Sequence, residues 1–191
     1  MENLLDMSRL ETGAMEVLSR TTGVRELVDS ALASLGPRAT GVAVSVEPTV
    51  QLIETDPVLV ERVVANLVDN ALLHGAGHPV RVEAGAVAGR VDIRVIDHGP
   101  GIRPIDRDRV FLPFQRLGDI DNRTGVGLGL AVSRGFAEAV GGELDLEDTP
   151  GGGCTMVVRL PGPVDHTPTI IDADLDDDVV VPDSADAEAT P

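Results

Sequence analysis

Asn66 and Asn70 stand four residues apart in a run that is otherwise largely apolar, with Val60, Val63, Val64, Leu67, Val68, Ala71 and Leu72 around them. That spacing puts both amides on one face of a helix. Buried amides are costly unless they find partners. Neighbouring backbone is the ordinary partner. The alternative is a hard cation, because an amide oxygen is a neutral ligand suited to Mg²⁺ that also holds phosphates and water. Downstream, Asp97-His98-Gly99-Pro100-Gly101 follows a strand-like run. A carboxylate at a strand end can accept a hydrogen bond from an adenine amino group and would repel the oxygen of guanine. Gly99 and Gly101 would let backbone approach a flat ring. An ordinary Asp-Gly turn is the plainer reading of the same residues.

Two further glycine runs follow. Gly125-Val126-Gly127-Leu128-Gly129-Leu130 opens a helix, where exposed amides and the helix dipole favour phosphate. Gly151-Gly152-Gly153-Cys154-Thr155 reads by itself as a hairpin turn. Several nucleotide folds are set aside. The first run is not G-x-G-x-x-G and no strand immediately precedes it. All 15 basic residues are Arg, so the lysine of a Walker loop and that of a eukaryotic-type protein kinase are both missing.

These residues need elements to hold them. Residues 1–19 read as a helix on the spacing of Leu4, Met7, Leu10, Ala14 and Val17. Thr21 to Gly23 break it, and Val24 to Leu35 form a second helix ended by Gly36-Pro37. Val42 to Val46 and Val50 to Ile53 read as short strands. Asp56-Pro57 caps and opens the asparagine helix, which stops near Gly75. Val80 to Val87 and Arg90 to Ile96 form a hairpin through Ala88-Gly89. Residues 97–125 hold no long periodic element, a length that is usually functional or mobile. Gly127 to Val140 is a helix, and Glu143 to Glu147 and Cys154 to Leu160 are the last strands. Without regular βαβ alternation, the pattern predicts an α+β fold with helices on one face of a sheet.

Composition narrows the function. The 191 residues carry a net charge of −17, and nine acidic residues lie after Gly162. That field makes nucleic acid and anionic membrane poor candidates as partners. The acidic stretch 162–191 is expected to be disordered. Three Phe and no Trp or Tyr leave the core to aliphatic side chains. One cysteine, Cys154, suits a reducing cytosol. No apolar stretch reaches the roughly 18 residues of a membrane span, and no secretory signal is visible.

The boxes in order make the chain resemble the ATPase domain shared by sensor histidine kinases, DNA gyrase, Hsp90 and MutL. They are E-R-V-V-A-N-L-V-D-N-A-L-L-H (Glu61 to His74), D-H-G-P-G-I (Asp97 to Ile102), F-L-P-F (Phe111 to Phe114), G-V-G-L-G-L (Gly125 to Leu130) and G-G-G-C-T (Gly151 to Thr155). The resemblance spans about Val24 to Pro161. It implies a two-layer α/β sandwich of the histidine kinase ATPase type. It implies residues 1–20 as the end of a dimerisation and phosphoacceptor hairpin, 21–161 as the catalytic domain and 162–191 as a tail. It also implies ATP and Mg²⁺. Asp97 would read the adenine amino group, Gly99, Gly101 and Ile102 would wall the base, and Thr155 would support that side. Asn70 would hold the metal, with Asn66 supporting metal or phosphates. Gly125, Gly127, Leu128 and Gly129 would border the phosphates under a lid from Arg116 to Thr124, with Arg116 or Arg123 meeting the γ-phosphate.

In hydrolysing relatives a Glu four residues before the metal Asn activates water. Here that residue is Asn66, and an amide is no base. Glu61 lies nine residues from Asn70, about 180° round the helix. Phosphoryl transfer to a supplied nucleophile is therefore expected, since it depends on positioning and charge. A non-catalytic ATP-binding module and an ATP hydrolase are the alternatives.

Two departures stand out. Leu73 replaces a common basic residue, with His74 beside it as a partial substitute. None of His74, His78, His98 and His166 sits in the family's acceptor context, so the acceptor histidine must come from a separate helical hairpin. The onward partner is a response-regulator receiver domain. Asn3-Leu4-Leu5-Asp6-Met7-Ser8-Arg9-Leu10-Glu11, the run Phe114 to Phe136 and the last hairpin are similar to Kdp-type, potassium-responsive sensor kinases. The segment is expected in the cytoplasm, without direct membrane contact, and the parent kinase in the cell membrane.

Overall fold

Along the strand Arg90–Ile96, Val91, Ile93 and Val95 alternate with Asp92, Arg94 and Ile96, and the fold turns on that alternation. The computed structural model describes residues 2–50, 52–115 and 127–162. In chain order the elements are α1 (Glu2–Glu11), β1 (Arg20–Gly23), α2 (Val24–Leu35), β2 (Ala43–Val46), β3 (Leu52–Thr55), α3 (Pro57–His74), β4 (Arg81–Val87), β5 (Arg90–Ile96), α4 (Gly129–Ala139), β6 (Glu143–Asp148) and β7 (Cys154–Leu160). The main sheet has the order β2-β4-β5-β7-β6. Its β2–β4 pair is parallel and its other pairs are antiparallel.

Register places Val82 beside Val95, Ile93 beside Val158, and Leu144 beside Val158. These side chains are buried in one core with Leu27 and Val28 of α2, Val64, Leu67 and Val68 of α3, and Phe136 of α4. The opposite face carries ions. Asp92 pairs in register with Arg159. Arg94 reaches Glu147, and Arg159 reaches Asp145 and Glu147. One apolar face and one charged face leave helices only one side to pack on. The α+β expectation, a mixed sheet with helices on one face, is what forms.

Local chemistry explains the helix ends. Asp56 caps α3, its Oδ1 accepting from the Val58 and Leu59 amides at 2.9 and 3.3 Å. Pro57 occupies the first turn, where its missing N–H costs nothing. Ala88 and Gly89, at φ 51° and 77°, make the tight turn that joins β4 to β5.

Three expectations need correction. The helix expected over 1–19 ends at Glu11. Gly13 takes φ 64°, its amide bonds Leu10 O at 3.2 Å, and the Ala14 amide bonds Arg9 O at 3.0 Å. These paired bonds form the closure that a left-handed glycine imposes on a helix end, and periodicity alone does not register it. Thr21 to Gly23, expected as a break, belong to the strand Arg20–Gly23, which pairs antiparallel with β3. The strands expected at 42–46 and 50–53 run over 43–46 and 52–55 and belong to different sheets.

Helix α1 docks on α3 and α4. Asp6 is buried and forms a two-pronged pair with Arg62, one bond at 3.1 Å. The Arg62 guanidinium lies 5.0 Å from the centroid of the Phe136 ring. Leu10 packs where Gly135 has no side chain. The strap after α1 is tied by the Leu18 amide to Asp56 Oδ2 at 2.8 Å. Among the described residues, no helix is long and apolar enough to cross a membrane. The expected lid and the acidic tail after Gly162 lie outside the described residues.

Asp56 thus serves both a helix and a strap. Asp56→Ala is expected to lower unfolding free energy by about 1–2 kcal/mol, measured by urea denaturation of the full chain. An unchanged midpoint would show that neither set of bonds contributes.

Candidate functional site

The end of β5, the end of α3 and the start of β7 meet at Asp97. Its amide donates to Cys154 O at 3.0 Å, continuing the β5–β7 ladder by one rung. Its Oδ1 accepts from Gly99 N at 2.8 Å and from Cys154 N at 3.2 Å. Among the described residues Oδ2 accepts nothing, although Asp97 is only 7% exposed. Two backbone donors therefore hold one oxygen still and leave the other for a ligand's donor.

The surrounding glycines are required by space. A Cβ at Gly99 would collide with His74 O, and one at Gly153 would collide with Asp97 O. Gly153 also holds φ 114°, a conformation open mainly to glycine. Gly101 packs on the same run, its Cβ position 3.0 Å from Gly153 O. His98 Nδ1 lies 3.3 Å from Gly152 O, tying the first and last glycine loops together. Ile102 is half-buried against the core. Thr155 is 3% exposed and its hydroxyl lies 2.9 Å from that of Thr149.

Asn66 and Asn70 are both half-buried on α3. The Asn66 amide crosses to α4. Its Nδ2 donates to Ser133 Oγ at 2.9 Å, and its Oδ1 lies 2.5 Å from where a Cβ on Gly129 would be. The Asn70 side chain makes no hydrogen bond to another described residue. Glycine at 129 lets the two helices close on this amide. The first turn of α4 has no side-chain cap, so its amides stay available to an anion. Leu128 is buried under this turn. Gly127 O accepts from Phe114 N at 2.9 Å, which fastens the phenylalanine box to the start of α4. Phe111 is buried and Arg134 stacks on it at 3.8 Å.

His74 is exposed at the end of α3. Arg116, Arg123 and Gly125 lie outside the described residues. Glu61 is remote from the glycine loops. Burial raises its pKa, with Arg20 opposing and Glu26 adding to the rise, so its neighbours are on β1 and α2. Sequence reasoning missed Ser133 and Thr149, which touch the site only across helices or a turn. The signal for Ser133 was its four-residue spacing from Gly129.

Among the described residues, no group of three or more His, Cys, Asp or Glu side chains is placed to hold a metal. The asparagine amides, with phosphate oxygens, are the donor set that fits Mg²⁺ here. A carboxylate oxygen, an uncapped helix start and two amides also suit a purine triphosphate.

Cys154 is buried beside Asp97. Burial, with the Asp97 charge adding to it, pushes its thiol up to about 12. The thiolate is the reactive form, so alkylation of the native chain is expected to stay slow through pH 9 and to appear on unfolding. Mass spectrometry after iodoacetamide treatment checks this. Fast native labelling at pH 8 would contradict it.

Residues 55–164 match the family described as histidine kinase-, DNA gyrase B-, and HSP90-like ATPase. The chain is 48% identical over 159 residues to the sensor protein KdpD of Rathayibacter rathayi, covering 83% of this chain and 19% of that protein. It therefore spans about a fifth of the length of the curated relatives it matches. Full-length ShkA in complex with AMPPNP superposes with a TM-score of 0.74 at 26% identity, over 85% of this chain and 35% of that one. The mycobacterial sensor histidine kinase MprB superposes with a TM-score of 0.64 at 28% identity, over 77% of this chain and all of that one. The chain belongs to the family of histidine kinase-, DNA gyrase B- and HSP90-like ATPases.

Proposed function

We propose that this domain binds Mg-ATP between α3, α4 and the glycine loops and presents the γ-phosphate to a histidine on a separate helical hairpin. The phosphoryl group then passes to an aspartate on a response-regulator receiver domain. The observation that carries this reading is the divided Asp97 carboxylate, with Oδ1 held by two backbone amides and Oδ2 left to accept. Oδ2 takes the adenine amino group, Gly99, Gly101 and Ile102 wall the base, and Thr155 supports that wall from β7. The triphosphate runs toward Gly125, Gly127, Leu128 and Gly129. Asn70 holds the metal and Asn66 supports it, with His74 and Arg116 as further phosphate contacts. Mg²⁺ supplies charge neutralisation along the phosphates.

The same geometry supports transfer rather than hydrolysis. The residue at the hydrolases' base position is Asn66, and its nitrogen is already donated to Ser133. An amide takes no proton from water, so this chain positions a phosphate for an outside nucleophile. The 48% identity to KdpD supports a Kdp-type parent kinase responding to potassium. It also supports placing this domain on the cytoplasmic side of a membrane-bound kinase.

Asp97→Asn keeps an oxygen for the two amides and turns an NH2 toward the base. Affinity for a non-hydrolysable ATP analogue is expected to fall roughly 10- to 100-fold, measured by calorimetry with Mg²⁺. Unchanged affinity would remove Asp97 from adenine recognition. With labelled ATP and an added acceptor hairpin, label is expected on the hairpin histidine, with little free phosphate formed without it. ATP binding without transfer would overturn the kinase reading, and multiple turnover without acceptor would favour a hydrolase.

A further inference from the structure

The Asn66 amide lies against the first two turns of α4. Its oxygen is nearer the Gly129 Cβ position, at 2.5 Å against 3.1 Å for its nitrogen, and the nitrogen bonds Ser133 Oγ. An amide can turn over and exchange these atoms, and hydrogen bonds decide which way it stands. The Gly129 end selects the orientation, and the Ser133 hydroxyl, which can accept or donate, anchors the amide in place. The start of α4 has amide donors and the positive end of the helix dipole, which attract an oxygen and repel an NH2. Ser133 Oγ is 2% exposed and takes the nitrogen at 2.9 Å. Reversed, the amide would turn its NH2 toward the helix start.

We propose that Ser133 is a positioning residue for nucleotide binding: its hydroxyl holds the Asn66 amide with Oδ1 toward the phosphate-binding start of α4, where it supports the Mg-triphosphate. This rests on the Mg-ATP reading above and adds to it a residue outside the five boxes. Ser133 touches neither base nor phosphate and acts through Asn66. Its place is set by helix geometry. Residues 129 and 133 share a face of α4, so the glycine that admits the Asn66 amide and the serine that anchors it contact one side chain.

The orientation matters because a metal–phosphate ligand is sensitive to the sign of the dipole it meets. An oxygen stabilises the cation, whereas an NH2 at the same point repels it. Without the hydroxyl the amide loses the bond that holds it against α4. Loss of Ser133 is then felt with Mg-nucleotide and little with nucleotide alone.

The test is calorimetric titration of the 191-residue chain with a non-hydrolysable ATP analogue, with Mg²⁺ and with a chelator. Ser133→Ala is expected to weaken binding with Mg²⁺ roughly tenfold and binding without it by less than about twofold. In an Asn66→Ala background, Ser133→Ala is expected to add no further loss, because the group it positions is gone. Ser133→Cys fills nearly the same space with a poor acceptor and guards against a packing defect. It is expected to show the same magnesium-dependent loss with an unchanged thermal midpoint.

Equal losses with and without Mg²⁺, an equal loss in the Asn66→Ala background, or wild-type binding by Ser133→Cys would each overturn the proposal. Wild-type binding that Ser133→Ala leaves unchanged overturns the positioning role alone. A wild-type chain that binds no nucleotide overturns the Mg-ATP reading, and the positioning role with it.

Discussion

Where β5 ends, the Cα of Gly153 lies against the Asp97 carbonyl and the Cα of Gly99 against that of His74. Three chain segments thus meet with no side chain between them. This contact sets the distance between the sheet and the end of α3. It also brings the Cys154 amide within 3.2 Å of Asp97 Oδ1, which immobilises the carboxylate. A side chain at 99 or 153 would push the segments apart and release that oxygen. Adenine recognition, as proposed, depends on backbone packing before it depends on any side chain.

A second close approach, between α3 and α4, is organised in the same way. Gly129 leaves room for the Asn66 amide, and Ser133 bonds it. The asparagine box and the second glycine box are therefore one packed unit, with the uncapped start of α4 beside the amides of α3. The helices reach this arrangement because the sheet is apolar on one face only. Its other face carries Asp92, Arg94, Arg159, Asp145 and Glu147 in register. Burying those charges under a helix layer would cost more than their pairing returns. With few aromatic residues, the core is an aliphatic layer in which Phe136 is the one fully buried ring among the described residues.

Helix α1 belongs to the same unit. Asp6, Arg62 and Phe136 join α1, α3 and α4, and Arg62 lies one turn before Asn66 on α3. A buried carboxylate is tolerated here because it is paired in two-pronged fashion with a guanidinium, which also stacks on an aromatic face.

The sequence by itself determined the elements whose signals are local. Asp56-Pro57, Ala88-Gly89 and the alternation in 90–96 marked α3, the β4–β5 turn and β5, because caps, turns and two-residue periodicity are properties of neighbouring residues. The order of the boxes likewise marked the family and the residues to examine. Tertiary structure alone decided the rest. Arg20–Gly23 is a strand only because Leu52–Thr55 lies beside it. The two bonds of Asp97 Oδ1 and the bond from Asn66 to Ser133 span 2, 57 and 67 residues. Spacing along a chain reports which side chains share a face of one element. It does not report which faces of different elements meet, and in this domain those meetings orient the candidate ligands.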